Sequence, residues 1–226
     1  MENELTSKST LTNPFTEAPD GKKRLILFAI FVAILGSMMQ SSTLSTMLPM
    51  AAGEIGGKDY YSLASTIGAP LSIAAMPLWG YIAARSPHLK VPLFMVSMAA
   101  GVVTMVLRLF APSMAMVIVA MVFWGFVSPG IFVVGYALIR DMYDAQKAGV
   151  YLGVCSTLMM IAMIAGPVGA GALMTYVGWR SLNILILPFM VLALVLPIFG
   201  VKVTKEQAAH LAYGGGAFDI LGTVAL

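Results

Sequence analysis

The sequence has little charge, and what it has is kept out of its long apolar runs. Of its 226 residues 10% are charged, against roughly 25% in an ordinary soluble domain, while 59% are hydrophobic and the mean hydropathy is +0.91. Cys155 is the single cysteine, and His88 and His210 are the two histidines. One thiol forms no disulfide framework and no metal cluster. There is no G-x-x-x-x-G-K-[ST] phosphate loop, so a pump driven through a P-loop has no support. The ten carboxylates fall in the N-terminal tail, in loops or at Asp219, and both histidines lie outside the apolar runs. An enzyme working inside the membrane needs an acid/base pair, a nucleophile with its base, or metal ligands at depth. None of these is available, so the chain is not expected to be an enzyme, and no motif calls for a cofactor or a metal. A nucleic-acid partner is not expected either.

What is present is a series of apolar segments: 25–48, 61–84, 91–112, 114–139, 149–174 and 182–201. About 20 apolar residues at about 1.5 Å each cross a bilayer as a helix. A barrel would need alternating strands of about ten residues, and these runs do not alternate. The sequence therefore predicts an all-α membrane protein, a bundle of six transmembrane helices over 24–201. Residues 1–23 read as a mobile cytoplasmic tail, 202–217 as a cytoplasmic linker, and 218–226 as the start of a seventh helix that is cut short. With the N-terminus in the cytoplasm, Lys8, Lys22, Lys23, Arg24, Arg85, Lys90, Arg140, Lys147, Lys202 and Lys205 lie inside, and Lys58, Arg108 and Arg180 outside. That bias gives a multi-pass protein of the cell membrane with its N-terminus cytoplasmic. Arg108 and Arg180 fall near the outer surface, where snorkelling accounts for them.

The six spans divide into two sets of three. "WGYIAARS" (79–86) closes the second and "MTYVGWRS" (174–181) the fifth, each after a Gly/Pro-rich stretch. Inverted repeats of this kind place a substrate near the midplane between repeats or halves. The fifth span carries Gly166-Pro167, with Gly153 and Ala162 before them and Gly169, Ala170 and Gly171 after. In lipid, helices associate through close packing, which small residues permit, and the groups that a proline frees can bond to neighbours. A thin, kinked helix of this sort suits an interface that slides or rocks, and equally a static tight crossing.

These residues resemble the major facilitator superfamily. Gly153-x8-Ala162-x3-Gly166-Pro167-x2-Ala170-Gly171 is similar to its antiporter motif on helix five, with alanine at two glycine positions. "GWRSLNILILP" (178–188) resembles the helix-six entry of its fourteen-helix drug:proton antiporter branch, with Trp179, Arg180 and Pro188 in place and Ile186 where that branch has Asn. "GYIAARSPHLK" (80–90) matches the loop between helices two and three at Gly80, Arg85 and the trailing basic residues. "FDILG" (218–222) is similar to the helix that follows the first six. The resemblance covers nearly all of 25–226 and implies the N-terminal half of a transporter, built from two inverted three-helix repeats. It also shows departures. Ala84 stands where the loop motif has an acidic residue that helps latch the inner face, Pro87 where it has its second glycine, Gln40 where helix one has Asp, and Met121 where helix four has Arg.

Substrate contacts are expected where polar or aromatic side chains interrupt the apolar spans. "QSSTLST" (40–46) puts Gln40, Thr43 and Met47 on one face by their spacing. "FWGFVSPGIF" (123–132) puts Phe123, Trp124 and Phe126 around Gly125. Gly80, Arg85, Gly153, Gly166, Pro167 and Gly171 are the gating and interface candidates. The function expected is that of a carrier half working by alternating access and exporting amphipathic small molecules by antiport. Its partners would be the small-molecule substrate, the bilayer and a missing C-terminal half. A complete six-helix carrier that pairs with a second subunit, and is not coupled to protons, is the alternative.

Overall fold

The computed structural model describes Phe15 and residues 18–200, and among them every regular element is helical. Most of the expected tail, the 202–217 linker and the 218–226 helix lie outside the described residues. Among the described residues six helices are long and apolar enough to cross a membrane: Asp20–Glu54, Tyr61–Arg85, Pro87–Leu109, Met114–Met142, Ala145–Gly171 and Ser181–Phe199. In chain order they are spans one to six. The chain is an all-α, multi-pass membrane protein.

Five of the spans carry a proline inside a helix: Pro49, Pro77, Pro129, Pro167 and Pro188. The helix of span five nevertheless runs unbroken through Gly166-Pro167, from Ala145 to Val177. The break falls in span two instead, which consists of Tyr61–Thr66 and Gly68–Arg85. Gly178 has a φ of 88° and turns the chain between spans five and six. That left-handed conformation is the common end of a helix and favours glycine.

The closest helix pairs are one with five, two with four, three with four, one with six, and three with six. Exchanging one for four, two for five and three for six turns this set into itself. Because the spans alternate in direction, each is exchanged for one running the opposite way. The packing thus has the symmetry of two inverted three-helix repeats.

Spans one and four form the middle of the bundle. Ile30, Phe94, Met98, Ile131, Val134 and Leu138 pack one buried cluster. Met47, Ala51, Met114, Val117, Trp179 and Leu182 pack a second, toward the end of the bundle that holds Glu54. Spans two and five are the least covered, with 17% of their apolar windows buried against 61% for span four. Val150, Ile161, Ile164 and Val168 of span five are exposed.

Candidate functional site: a groove between spans one, two and four

The groove begins at a contact between two backbones. Gly125 of span four lies so near Gly68, just after the break in span two, that a Cβ on it would come within 2.6 Å of the Gly68 carbonyl oxygen. Only a glycine permits that approach. Ser72, one turn along span two, donates to the Gly68 and Gly125 carbonyls, both at 2.9 Å, and its Oγ is 3.5 Å from Ser128 Oγ. Trp79 Nε1 donates to the Phe126 carbonyl at 2.9 Å. These bonds join spans two and four while span one stands across from them.

The space between holds a groove of about 380 Å³. Span one lines it with Ser41, Leu44, Ser45 and Leu48, one face by their spacing. Span two contributes Tyr61, Ala64, Ser65, Gly68, Ala69 and Ser72, and span four Met121, Trp124 and Ser128. None of the lining residues is charged. Apolar walls bearing a few polar groups are the ordinary composition of a small-molecule pocket.

Of the residues expected to contact substrate, Trp124 lines this groove. Phe123 and Phe126 are about half exposed and are absent from its lining, because Met121, Trp124 and Ser128 share the face that their neighbours do not. Gln40, Thr43 and Met47 do share a face, and it is turned into the bundle: their exposures are 2%, 4% and 2%. Thr43 Oγ1 donates to the Gln40 carbonyl at 3.0 Å. Neither polar atom of the Gln40 side chain has a partner among the described residues, nor has Ser37 Oγ one turn earlier. The groove is met by the adjacent face, at Ser41 and Ser45.

The gating and interface candidates also separate. Gly166 is buried against span one, where a Cβ would overlap Ser42 Oγ and lie 3.3 Å from the Met39 carbonyl oxygen. Ser42 Oγ donates there to the Ala162 carbonyl at 3.3 Å. Ala162, Gly166 and Ala170 form the packed stripe of span five, beside a half-buried Pro167, whereas a Cβ at Gly153 or Gly171 would meet nothing within 4 Å. Gly80 leaves ordinary room beside Val133. Arg85 donates to the hydroxyl of Tyr81 on its own helix and lies over that ring, 5.7 Å from its centre.

The ends of the bundle hold charge pairs that the sequence did not disclose. Glu54 Oε2 accepts from Trp179 Nε1 at 2.9 Å, and Oε1 accepts from the Arg180 guanidinium. Arg180 also donates to the Ala111 carbonyl at 3.2 Å and lies over the Trp179 ring. Arg180 is therefore not a snorkelling cation but part of a clasp that ties the end of span one to the turn after span three and the turn before span six. Arg108 does not snorkel either. It is 1% exposed, its Nε donates to the Thr104 carbonyl at 3.3 Å, and its Nη2 has no partner among the described residues. It continues the buried stripe of Phe94, Ser97, Gly101 and Thr104 on span three. At the opposite end Lys90 Nζ is 2.6 Å from Asp141 Oδ2, tying spans three and four. Nearby, Tyr143 and Tyr151 meet edge to face at 4.6 Å, and burial raises the Tyr143 phenol above its ordinary pKa.

Comparisons with known proteins fit this architecture. The MFS-type transporter sphD of Aspergillus fumigatus is 28% identical over 90% of the chain and 36% of its own length. The MFS-type efflux pump LUC4 of a Fusarium species is 25% identical over 96% of the chain and 40% of its own length. The multidrug export protein EmrB of Haemophilus influenzae is 24% identical over 73% of the chain and 32% of its own length. The chain thus spans roughly a third to two fifths of the curated relatives it matches. These are transporters and not enzymes. The model of the Major Facilitator Superfamily matches residues 27–217, an extent that decides membership: the chain belongs to that superfamily.

Proposed function

We propose that the chain is the N-terminal six-helix part of a secondary active transporter, one that works by alternating access and exports amphipathic small molecules. The observation that carries this reading is the uncharged groove of about 380 Å³ between spans one, two and four, walled by serines, leucines, Met121 and Trp124. The relatives named efflux pumps or export proteins support the direction of transport. The thin cover over spans two and five leaves room for the rest of the carrier, either a C-terminal half or a second subunit. In the cell membrane the basic loops put the N-terminus and the Lys90–Asp141 pair on the cytoplasmic side, and the Glu54 clasp outside. Asp20, Glu54, Asp59, Asp141 and Asp144, the carboxylates among the described residues, all lie at helix ends or between helices. Groups that couple transport to protons are ordinarily ionisable side chains at membrane depth, so a proton-coupled carrier would draw them from outside this segment.

The test uses Ser45 as a handle. Cys155 is buried and is the one cysteine of these 226 residues, so Cys155→Ser, with any cysteine outside them also replaced by Ser, supplies a background in which Ser45→Cys is the reactive thiol. Cells expressing the native protein with these changes would be loaded with 7-amino-4-methylcoumarin, a neutral fluorescent amphipath. Labelling the thiol with a methanethiosulfonate reagent should abolish its energy-dependent efflux. Unchanged efflux after complete labelling would remove the groove from the transport path.

A further inference from the structure

Hydroxyl groups line the groove, and several have already committed their protons. Ser45 Oγ donates to the Ser42 carbonyl at 3.0 Å, and Ser65 Oγ to the Ser62 carbonyl at 2.9 Å. Ser72 Oγ donates to carbonyls of spans two and four, as described. A hydroxyl has one proton and two lone pairs. With its proton held by a backbone carbonyl, each of these serines keeps acceptor capacity on its oxygen. In lipid such back-bonding is favoured, because the hydroxyl proton has no water to turn to. Three acceptors from spans one and two therefore border the groove beside the hydroxyls of Ser41, Tyr61 and Ser128, and no charged side chain of the described residues lines it.

From this we propose that the groove selects uncharged amphipathic molecules that bring hydrogen-bond donors of their own, such as hydroxyl, phenol, aromatic amine or amide N–H groups on an apolar frame. The inference rests on the groove being the substrate site, and it adds the class of substrate. A fixed cation in the groove would lose its hydration against neutral walls with no carboxylate to replace it. A neutral molecule lacking donors would bury the serine oxygens without satisfying them. Ser45 on span one and Ser65 and Ser72 on span two line the same groove, so a ligand with donors at two points could bridge the helices.

Three coumarins on one frame separate the possibilities: 7-amino-4-methylcoumarin, its 7-dimethylamino analogue and its 7-trimethylammonium analogue. Displaceable binding to the native protein in lipid nanodiscs would be measured above empty nanodiscs, with the Ser45-labelled protein as the blocked control. The amino compound should bind at least about fivefold more tightly than the dimethylamino compound, the worth of one ordinary hydrogen bond. Greater apolarity favours the dimethylamino compound, so hydrophobic partition alone predicts the opposite order. The trimethylammonium compound should not bind. In Ser45→Ala/Ser65→Ala the preference for the amino compound should fall to about one, and Ser45→Asp should admit the cation. Block-sensitive binding of the amino and dimethylamino compounds with equal affinity, or of the cation as well as either, would overturn the proposal while leaving the groove as the binding site. If none of the three shows block-sensitive binding, both the proposal and the groove's role fall together.

Discussion

Gly125 and Gly68 meet backbone to backbone where span four crosses span two, and Gly166 meets Ser42 where span five crosses span one. The exchange of repeats relates the two pairs of spans, so each repeat closes on the other through a glycine and a serine. In one crossing Ser72 donates to the Gly125 carbonyl, and in the other Ser42 donates to the Ala162 carbonyl. The glycines differ in what surrounds them, and the difference grades the cost of filling them.

Gly125→Ala should cost the most. Its Cβ would press on the Gly68 backbone, oxygen at 2.6 Å and Cα at 2.9 Å, and backbone cannot swing aside. Overpacking of this kind costs about 1–3 kcal/mol. Gly166→Ala should cost less, because Ser42 Oγ can rotate away, losing its bond to Ala162, while the Met39 carbonyl at 3.3 Å gives slightly. Gly153→Ala, with open space around it, should be neutral or gain up to about 1 kcal/mol in helix propensity. Melting temperatures of the three variants in nanodiscs check the order; equal losses would contradict the crossings.

The two end pairs should respond differently to losing one partner. Lys90 and Asp141 are largely covered, with side-chain exposures of 11% and 23%. Asp141→Asn leaves a covered ammonium short of its counter-charge, at about 1–3 kcal/mol. Glu54 and Arg180 are 55% and 36% exposed, so solvent screens them and Arg180→Gln should cost at most about 1 kcal/mol. Thermal melts at low and high salt check both, with a clear salt effect expected at Arg180 and little at Asp141.

Much of the fold was legible because lipid forces it. Charge-free runs of sufficient length mark the spans, and the Gly/Pro-rich stretches mark the helices that cross closely. Which way a polar residue turns was not legible. Gln40 and Ser41 are neighbours in the chain, both polar, and lie on different faces of the helix. Only the approach of span two decides that Ser41 and Ser45 look onto open space while Gln40 is covered by other spans. The Glu54 clasp was hidden for a related reason. Glu54 and Trp179 are 125 residues apart, and nothing local in either segment announces a pair. Arg108 could have been placed, since Ser97, Gly101, Thr104 and Arg108 recur at helical spacing as a stripe of small and polar residues.

Arg108→Met should be tolerated or stabilising. The guanidinium is covered, one of its nitrogens has no partner among the described residues, and its bond to Thr104 is within its own helix. A well-packed apolar replacement removes the desolvation cost and keeps most of the volume. Arg108→Ala removes the volume too and should lower the melting temperature. If Arg108→Met is as damaging as Arg108→Ala, the charge itself holds something in place.

Gln40 allows the sharpest division between structure and transport. Its buried amide makes no side-chain hydrogen bond among the described residues, a state that costs about 1–3 kcal/mol. Gln40→Met keeps length and volume without the polar atoms, so the melting temperature should rise. Thr43→Val should do little better than break even, because the Thr43 hydroxyl is already satisfied by the Gln40 carbonyl. Coumarin efflux measured on the same two variants then decides what the amide is for. A Gln40→Met protein that is more stable and transports as before has lost only a buried liability. One that is more stable but transports poorly shows that span one turns during the cycle and brings Gln40 into the groove, where the amide would meet the substrate. A fall in stability would mean that the amide already has a partner in the folded protein, and that Gln40 belongs to the packing of the bundle.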